Sequence, residues 1–492
     1  MANFKPPVVG APSTVEGEAA QNAVIHSTFY TASSSIATPT ISVAADRRKL
    51  VIPTDGGIKI GTGFYPWSGI PNLDIEVAAN WDTVAVDYTV ALTRRGMNLY
   101  LYECQHSGQT APDFIFSANS TIPTGYDANN SRKVATFHTL PVSLGTIASH
   151  DLSGYLVGDI VPCSIADLLH RPSSAPEGMV VGQRLNGQGI ADVWVDAYLA
   201  SGTGVNTASA WNATISDTRT WYDFVDDFDA VGKFLPSDHH FQRLAAGSPE
   251  QVALYGLKDP VATGQIGTSL ITGATLTGTT FSRAAFSHAS FNQEYEVEID
   301  GNGAPDTFKW KQKTFGGAFG ASTATVPIQA GANTLADGIT ITFPATTGLT
   351  IGHKINVYVM DAPFSTAGVP IISHVGAWGM TGNLWQWLAD QSYRFDGAAA
   401  HTHQVVASGD PETITSGNAS GDLTPVASYK TIGGSKGLVS TQGTYGLTKL
   451  MAGGPYNGTG SNSGSRCRSI TSWPWDTGVN ISARGCSRSK RS

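Results

Sequence analysis

Short runs of β-forming residues, each broken within a few positions by glycine, proline or asparagine, constrain this chain more than any other feature. Lys49-Leu-Val-Ile-Pro leads into the turn Thr54-Asp-Gly-Gly57 and on to Ile58-Lys-Ile-Gly, and Thr83-Val-Ala-Val-Asp-Tyr-Thr-Val-Ala-Leu and Asn98-Leu-Tyr-Leu-Tyr follow. Such alternation between turn residues marks antiparallel strands. The 55 glycines and 25 prolines supply the turns without a G-X-Y period, which excludes a collagen-like winding. With 492 residues the chain must divide into several domains. Its 19 Phe, 16 Tyr and 11 Trp exclude a disordered acidic chain, and a net charge of −8 argues against general nucleic-acid binding.

The pattern changes four times. Residues 1–45, rich in Ala, Ser, Thr and Pro, read as an attachment segment, and 46–160 as a β-rich, prism- or sandwich-like domain. A mixed region follows, with a short helix expected at Ile165–His170 and a strand at Asp192–Leu199. Trp221, Phe224, Val225 and Phe228 fall at i, i+3, i+4 and i+7, one helical stripe that Gly232 can end. Ser237 can cap a second helix, with Phe241, Leu244 and Ala245 inside and Gly247 as its stop. Residues 259–370 are again β-like: Tyr295-Glu-Val-Glu-Ile-Asp alternates strictly, Asp300-Gly-Asn-Gly303 is a tight turn, and Ile339-Thr-Ile-Thr-Phe and Lys354-Ile-Asn-Val-Tyr-Val are further strands. A sandwich of this length, between a helical region and a Trp-rich final segment, reads as an insertion into one domain formed by 161–258 and 371–492.

Catalytic and metal signatures are weak. The four cysteines, Cys104, Cys163, Cys467 and Cys486, form neither a C-x-x-C pair nor a disulfide framework. Glu298-x-Asp300-x-Asn302-Gly303 hints at a calcium loop, but the twelfth position is Lys309 where a bidentate Glu is required, so a hairpin turn is the better reading. His401 and His403 would share one side of a strand without a third ligand, and His239-His240 open a helix. No nucleophile elbow, phosphate loop or zinc-helix motif occurs, which favours binding over chemistry. No apolar run reaches membrane-spanning length and Met1-Ala-Asn-Phe-Lys-Pro-Pro lacks a signal-like pattern, so a protein made in a cytoplasm, without membrane insertion, is expected.

The stretch Gly453–Gly485 has the composition of an antibody paratope: Tyr, Trp, Ser, Asn, Gly and Arg. Aromatic side chains give large contact area at low entropy cost, and small polar ones give adaptable hydrogen bonds. A flexible linker would not carry two Trp, one Tyr and three Arg.

Gly382-Asn-Leu-Trp-Gln-Trp387, Ser463-Gly-Ser-Arg466 and Ala483-Arg-Gly485 resemble the C-type-lectin-like fold shared by formylglycine-generating enzymes and the variable proteins of diversity-generating retroelements. With Pro123-Thr-Gly-Tyr, Arg132-Lys-Val, Phe137-His138, Trp221-Tyr-Asp-Phe, Gly232-Lys-Phe-Leu-Pro236 and Phe241-Gln-Arg-Leu-Ala in the same order, the chain resembles the tropism-determinant family of phage receptor-binding proteins. The resemblance covers most of the chain outside 259–370. That region looks like an immunoglobulin-like module of phage tail proteins (Pro305-Asp-Thr-Phe-Lys-Trp310, Gly338-Ile-Thr-Ile-Thr-Phe, Ala345-Thr-Thr-Gly348).

The resemblance implies a mainly β, multidomain homotrimer at a tail-fibre tip of the virion, with an α+β lectin-like C-terminal domain and an N-terminus joined to other tail proteins. It implies that a host-cell receptor, protein or glycan, is gripped by residues a retroelement rewrites. Matched by position these are Tyr456, Asn457, Thr459, Ser461, Asn462, Arg468, Ser469, Thr471, Ser472, Trp473, Trp475, Asp476, Gly478 and Asn480, while Trp385, Trp387, Arg466 and Arg484 fall on framework positions. Ile470 stands where the family has Trp, and Trp473-Pro474 where it has Gly-Pro. No cofactor is required for such binding; calcium, common among relatives of this fold, is left without named ligands. Two other readings stand beside this one. One is a decoration or baseplate protein without a receptor. The other is a formylglycine-generating oxidase, whose copper-binding cysteine pair is spoiled by Ser472 five residues beyond Cys467.

Overall fold

The computed structural model describes residues 41–490 apart from 55–56, 68, 84, 107–111, 169, 182–192, 251–265, 269–275, 277, 284–291, 315–316, 337, 361, 365–367, 395–428, 432–437, 441–445, 456–463 and 470–471. Ser42–Val43, Lys49–Ile52 and Ile70–Asp74 pair in an antiparallel sheet, and Gly57–Ile60 forms a hairpin with Gly63–Pro66. A four-stranded antiparallel sheet runs in the order Asp113–Ser117, Asn98–Cys104, Ser131–His138, Ala166–Asp167. One core joins these sheets: Leu50, Ile52, Ile58 and Ile60 pack with Leu99, Leu101, Phe116 and Phe137. Because strand side chains alternate, Tyr100, Tyr102 and Cys104 cover the opposite face with Ile115.

Three expectations for this region are corrected. The alternating run from Thr83 is a series of bends ending in the single helical turn Ala91–Arg94. Asp87 Oδ1 accepts the Thr89 amide at 3.0 Å, an Asx-type turn, and among the described residues no strand pairs with this run, so Val86 and Val90 stay exposed. The helix expected at 165–170 is absent: Pro162–Ser164 make a 3₁₀ turn and Ala166–Asp167 an edge strand on Ala135 and Thr136. Asp167 Oδ1 then accepts the His170 amide at 2.7 Å. The β domain also begins before residue 46, since Ile41 is fully buried and Ser42–Val43 pair with Leu50 and Val51.

The described residues of 170–250 and 362–490 build the second body, and Leu140, Val142, Leu144 and Leu152 reach into its larger core, so the expected boundary at 160 does not separate the two cores. Its six-stranded mixed sheet has the order Tyr429–Thr431, Leu438–Ser440, Gly464–Ser469, Gly446–Gly453, Trp385–Arg394, Ile481–Ser482. Met179–Val181, Val193–Asp196 and Cys486–Arg488 form an antiparallel triplet. Helix α1 (Trp221–Ala230) lays Phe224 and Phe228 against Trp385, Trp387, Met451 and Ile481. Gly232, at φ +70°, ends it as expected. Helix α2 (Asp238–Leu244), capped reciprocally by Ser237 and His240, sends Phe241 and Leu244 into a larger core with Trp194, Ile372, Trp378 and Ala452.

Between these halves lie an antiparallel five-stranded sheet (Ile266–Thr268, Lys354–Met360, Asn292–Gly301, Thr307–Thr314, Val326–Pro327) and a three-stranded one (Thr280–Arg283, Ile339–Thr342, Ala332–Thr334). Their own core contains Tyr295, Val297, Ile299, Phe308, Ile341 and Val357. Glu298, first residue of the weighed calcium loop, instead meets Lys309 at 3.6 Å and Lys354 at 3.1 Å; Glu296–Lys311 and Glu294–Lys313 continue this cross-strand ladder. The flanks return to each other, because the His374 amide donates to Ala246 O at 2.8 Å and Thr381 Oγ1 to Pro249 O at 2.8 Å.

The expected end of the insertion at 370 overshoots. Ala362 is fully buried in the larger core and Phe364 packs against it. Excising 259–361 and bridging the ends with a short Gly/Ser linker is expected to leave the second body with one cooperative unfolding transition. Extending the cut to 370 removes those two side chains and lowers stability further, by about 1–3 kcal/mol; chemical denaturation compares the two deletions.

Candidate functional site

The C-terminal loop is built on a proline turn. Pro474 presets the backbone at the second position of Trp473–Asp476. The Asp476 amide closes the turn on Trp473 O at 3.0 Å, and Asp476 Oδ2 accepts the Trp473 amide at 2.7 Å. The two indoles lie parallel, 6° apart in tilt with centroids 5.1 Å apart. Trp473 is half-buried, and Trp475 stands 60% exposed on top of the stack.

What holds this loop is almost entirely main chain. The amide of Lys449 donates to Ser472 O at 3.2 Å, that of Trp221 to Pro474 O at 2.9 Å, that of Thr218 to Gly478 O at 3.1 Å and that of Trp385 to Asn480 O at 2.8 Å. The Trp221 amide is one of the first-turn donors that a helix leaves without an internal partner, so the loop completes the start of α1. The rest of that start is satisfied by Thr220 and Asp223, each of which accepts the other's amide, which holds the Asp223 carboxyl below its usual range. Below, Trp221 Nε1 donates to Leu388 O at 2.9 Å and the Lys449 ammonium sits 3.7 Å from the Trp221 ring centre. Burial pushes the Lys449 pKa down.

The structure divides the sequence-derived candidates. Trp473, Asp476, Gly478 and Asn480 are half-buried and Trp475 exposed, all within one loop. Gly478 lacks a Cβ that would meet Asn480 Oδ1 at 2.9 Å, so a side chain there requires Asn480 to turn away. Three other candidates are not outward-pointing. Arg468, 6% exposed, holds Asp238 at the start of α2 through Nε (2.5 Å) and Nη2, and donates from Nη1 to Ser465 O and Cys467 O. Ser469 is buried in the strand opposite Met451, and Ser472 is buried where its carbonyl receives Lys449. Arg468 and Ser469 are adjacent in strand Gly464–Ser469, so both faces of that strand are covered, and Ser472 lies beyond the strand's end. Tyr456, Asn457, Thr459, Ser461, Asn462 and Thr471, like His401 and His403, lie outside the described residues.

Of the framework positions, Trp385 and Trp387 are buried under α1, and Arg466 lies in strand Gly464–Ser469. Arg484 is fully buried. Its guanidinium donates to Gln386 Oε1 at 2.9 Å, to Asp196 O at 2.7 Å and to Trp378 O. Burial lowers its pKa to about 10 and raises that of Asp196, which Lys233 Nζ meets at 2.6 Å. Gly485 is needed beside it, since a Cβ would strike Asp196 Oδ2 at 2.7 Å and Lys233 Cδ at 2.8 Å.

Sequence reasoning did not single out Tyr222, Thr477 or Val479, all of them exposed. Tyr222 is 52% exposed beside Trp221, edge to face at 5.4 Å, and Val479 is also exposed. The signal for Tyr222 was available: it is an aromatic residue lying off the 221/224/225/228 stripe. Neither cysteine of the oxidase reading is accessible. Cys467 and Cys486 are buried in different sheets, and burial pushes the Cys486 thiol up.

Residues 72–167 match the family model described as the Mtd second domain. The chain is also 30% identical over 206 residues to the tail fiber receptor-binding protein of Bordetella phage BPP-1, across 37% of this chain and 49% of that protein. It thus spans about half the length of the curated relative it matches. Solved structures of the Major Tropism Determinant U1 and P3c variants align over 95% and 94% of this chain and 88% and 87% of theirs, at 18% and 17% identity, each with a TM-score of 0.48. The chain is therefore similar to a phage tail-fibre receptor-binding protein, and its residues 72–167 are similar to the second domain of the Mtd family.

Replacing Arg484 with Met is expected to destabilise the second body by about 3–5 kcal/mol, because three buried acceptors lose their donor. Chemical denaturation measures it; a change below about 1 kcal/mol would show that the guanidinium does not hold these segments together.

Proposed function

We propose that this chain is the receptor-binding component of a phage tail fibre, and that it holds a host-surface molecule through the outward side chains of the 473–480 loop together with Tyr222. The observation that carries this reading is the separation of labour in the loop: main-chain atoms fasten it to α1 and the mixed sheet, leaving Trp475, Thr477 and Val479 outward. Exposed aromatics on an anchored backbone are the usual hot spots of recognition. The name of the Bordetella phage BPP-1 relative supports the reading.

In the same proposal the C-terminal body is a C-type-lectin-like domain whose loop is diversified by a retroelement. The insertion is an immunoglobulin-like spacer, residues preceding 41 attach to other tail proteins, and three copies form a fibre tip in the virion. Trimers carried on several fibres multiply a weak single contact through effective concentration. In this reading the chain acts by binding rather than catalysis, which requires no cofactor.

Particles carrying Trp475→Ala are expected to bind host cells about 30-fold more weakly per site, the equivalent of roughly 2 kcal/mol, with folding stability changed by less than about 0.5 kcal/mol. Adsorption assays with purified particles read the first quantity and thermal unfolding the second. Unchanged adsorption after Trp475, Thr477, Val479 and Tyr222 are all replaced would instead favour a structural tail protein without a receptor.

A further inference from the structure

A second polar site lies away from the loop, where the β domain meets the C-terminal strand. A cleft of about 240 Å³ is lined by Lys133, Asp167, Arg171, Ser173, Ser174 and Lys490, with smaller apolar residues at its floor. Its walls come from three separate segments. The ladder between 171–174 and 487–490 is firmly set: the Lys490 amide donates to Arg171 O at 2.8 Å, the Ser173 amide to Arg488 O at 2.8 Å, and the Ser174 amide to Ser487 Oγ at 3.0 Å.

This ladder places two cations against each other. Arg171 and Lys490 are joined through their backbones, and neither side chain has a hydrogen bond or ion pair to a described residue. Like charges opposed across a ladder are unfavourable unless something compensates them. Lys133 adds a third cation at the rim: its ammonium donates to Ser120 O at 2.8 Å and sits 4.9 Å from the Tyr100 ring centre. The one carboxylate of the cleft, Asp167, is buried and directed to its own turn, where Oδ1 accepts the His170 amide at 2.7 Å, and the three cations outnumber it. Glu177, which Tyr100 holds at 3.1 Å, is not among the lining residues. In a chain of net charge −8, three cations against one carboxylate around one cleft make an anion-accepting site.

We propose that this cleft binds an oxyanion, a sulfate, phosphate or carboxylate group, between the Arg171 and Lys490 side chains, with Lys133 adding positive charge at the rim. The space equals about eight waters, enough for the oxyanion and a small group carrying it, such as one acidic sugar ring. Its occupation would fasten strand 487–490 to segment 171–174. The site shares no residue with the 473–480 loop, so it does not depend on the receptor reading.

The test is calorimetric titration of the full chain with sodium sulfate and with sodium glucuronate, at fixed ionic strength against chloride. We expect saturable binding of about millimolar strength, weakened about tenfold or more in Arg171→Ala and in Lys490→Ala, and unchanged in Lys309→Ala on the distant five-stranded sheet. Tighter binding of glucuronate than sulfate assigns the oxyanion to an acidic sugar; equal or weaker binding assigns it to a free ion. Absence of oxyanion binding beyond chloride, or equal affinity in wild type and both cleft variants, overturns the proposal.

Discussion

Four main-chain hydrogen bonds, from Lys449, Trp221, Thr218 and Trp385 to carbonyls between Ser472 and Asn480, are the constraint on which the functional reading of this protein depends. The donors lie at a helix start (Trp221), in a loop (Thr218), at a strand end (Trp385) and inside strand Gly446–Gly453 (Lys449), and a buried donor such as that of Lys449 left alone costs more than the bond itself gains. The loop therefore completes the body to which it is attached. Pro474 and the Asp476 carboxylate shape the turn locally, and Trp475, Thr477 and Val479 stand exposed between the anchors.

The anchors are only as fixed as the body beneath them. Arg484 reaches Asp196, Gln386 and Trp378, which come from three distant parts of the chain, while Lys233 neutralises Asp196 and Gly485 leaves room for the pair. A buried cation of this kind is a poor source of net stability but a strong penalty on any arrangement that leaves its partners unmet. It sits between the triplet sheet and the mixed sheet, and so ties the first half of the second body to the segment that resumes after the inserted sheets.

Much of this was legible where a period was long or a residue type had one use. The stripe Trp221/Phe224/Val225/Phe228, the caps Ser237 and Gly232, and the alternation after Tyr295 all reported their elements, because propensity and burial agree there. The run from Thr83 misled because alternation alone cannot supply a neighbouring strand, and Ile165–His170 because an edge pairing outweighed its helical spacing. In the loop, Trp473–Asn480 was found by composition and resemblance, whereas Arg468, Ser469 and Ser472 have the same composition and face inward. Their burial depends on which distant segments cover each position, a long-range property that residue types do not encode. Arg468 in particular is set by Asp238, 230 positions away in sequence.

The most direct measurement is amide hydrogen exchange on a chain in which Trp475, Thr477 and Val479 are replaced together. Protection of the amides of Thr218, Trp221, Trp385 and Lys449 matching the original chain is the result that a scaffold indifferent to its cargo predicts. Loss of that protection would show instead that the outward groups are part of what keeps the fold closed, and the account of a replaceable gripping surface would fail.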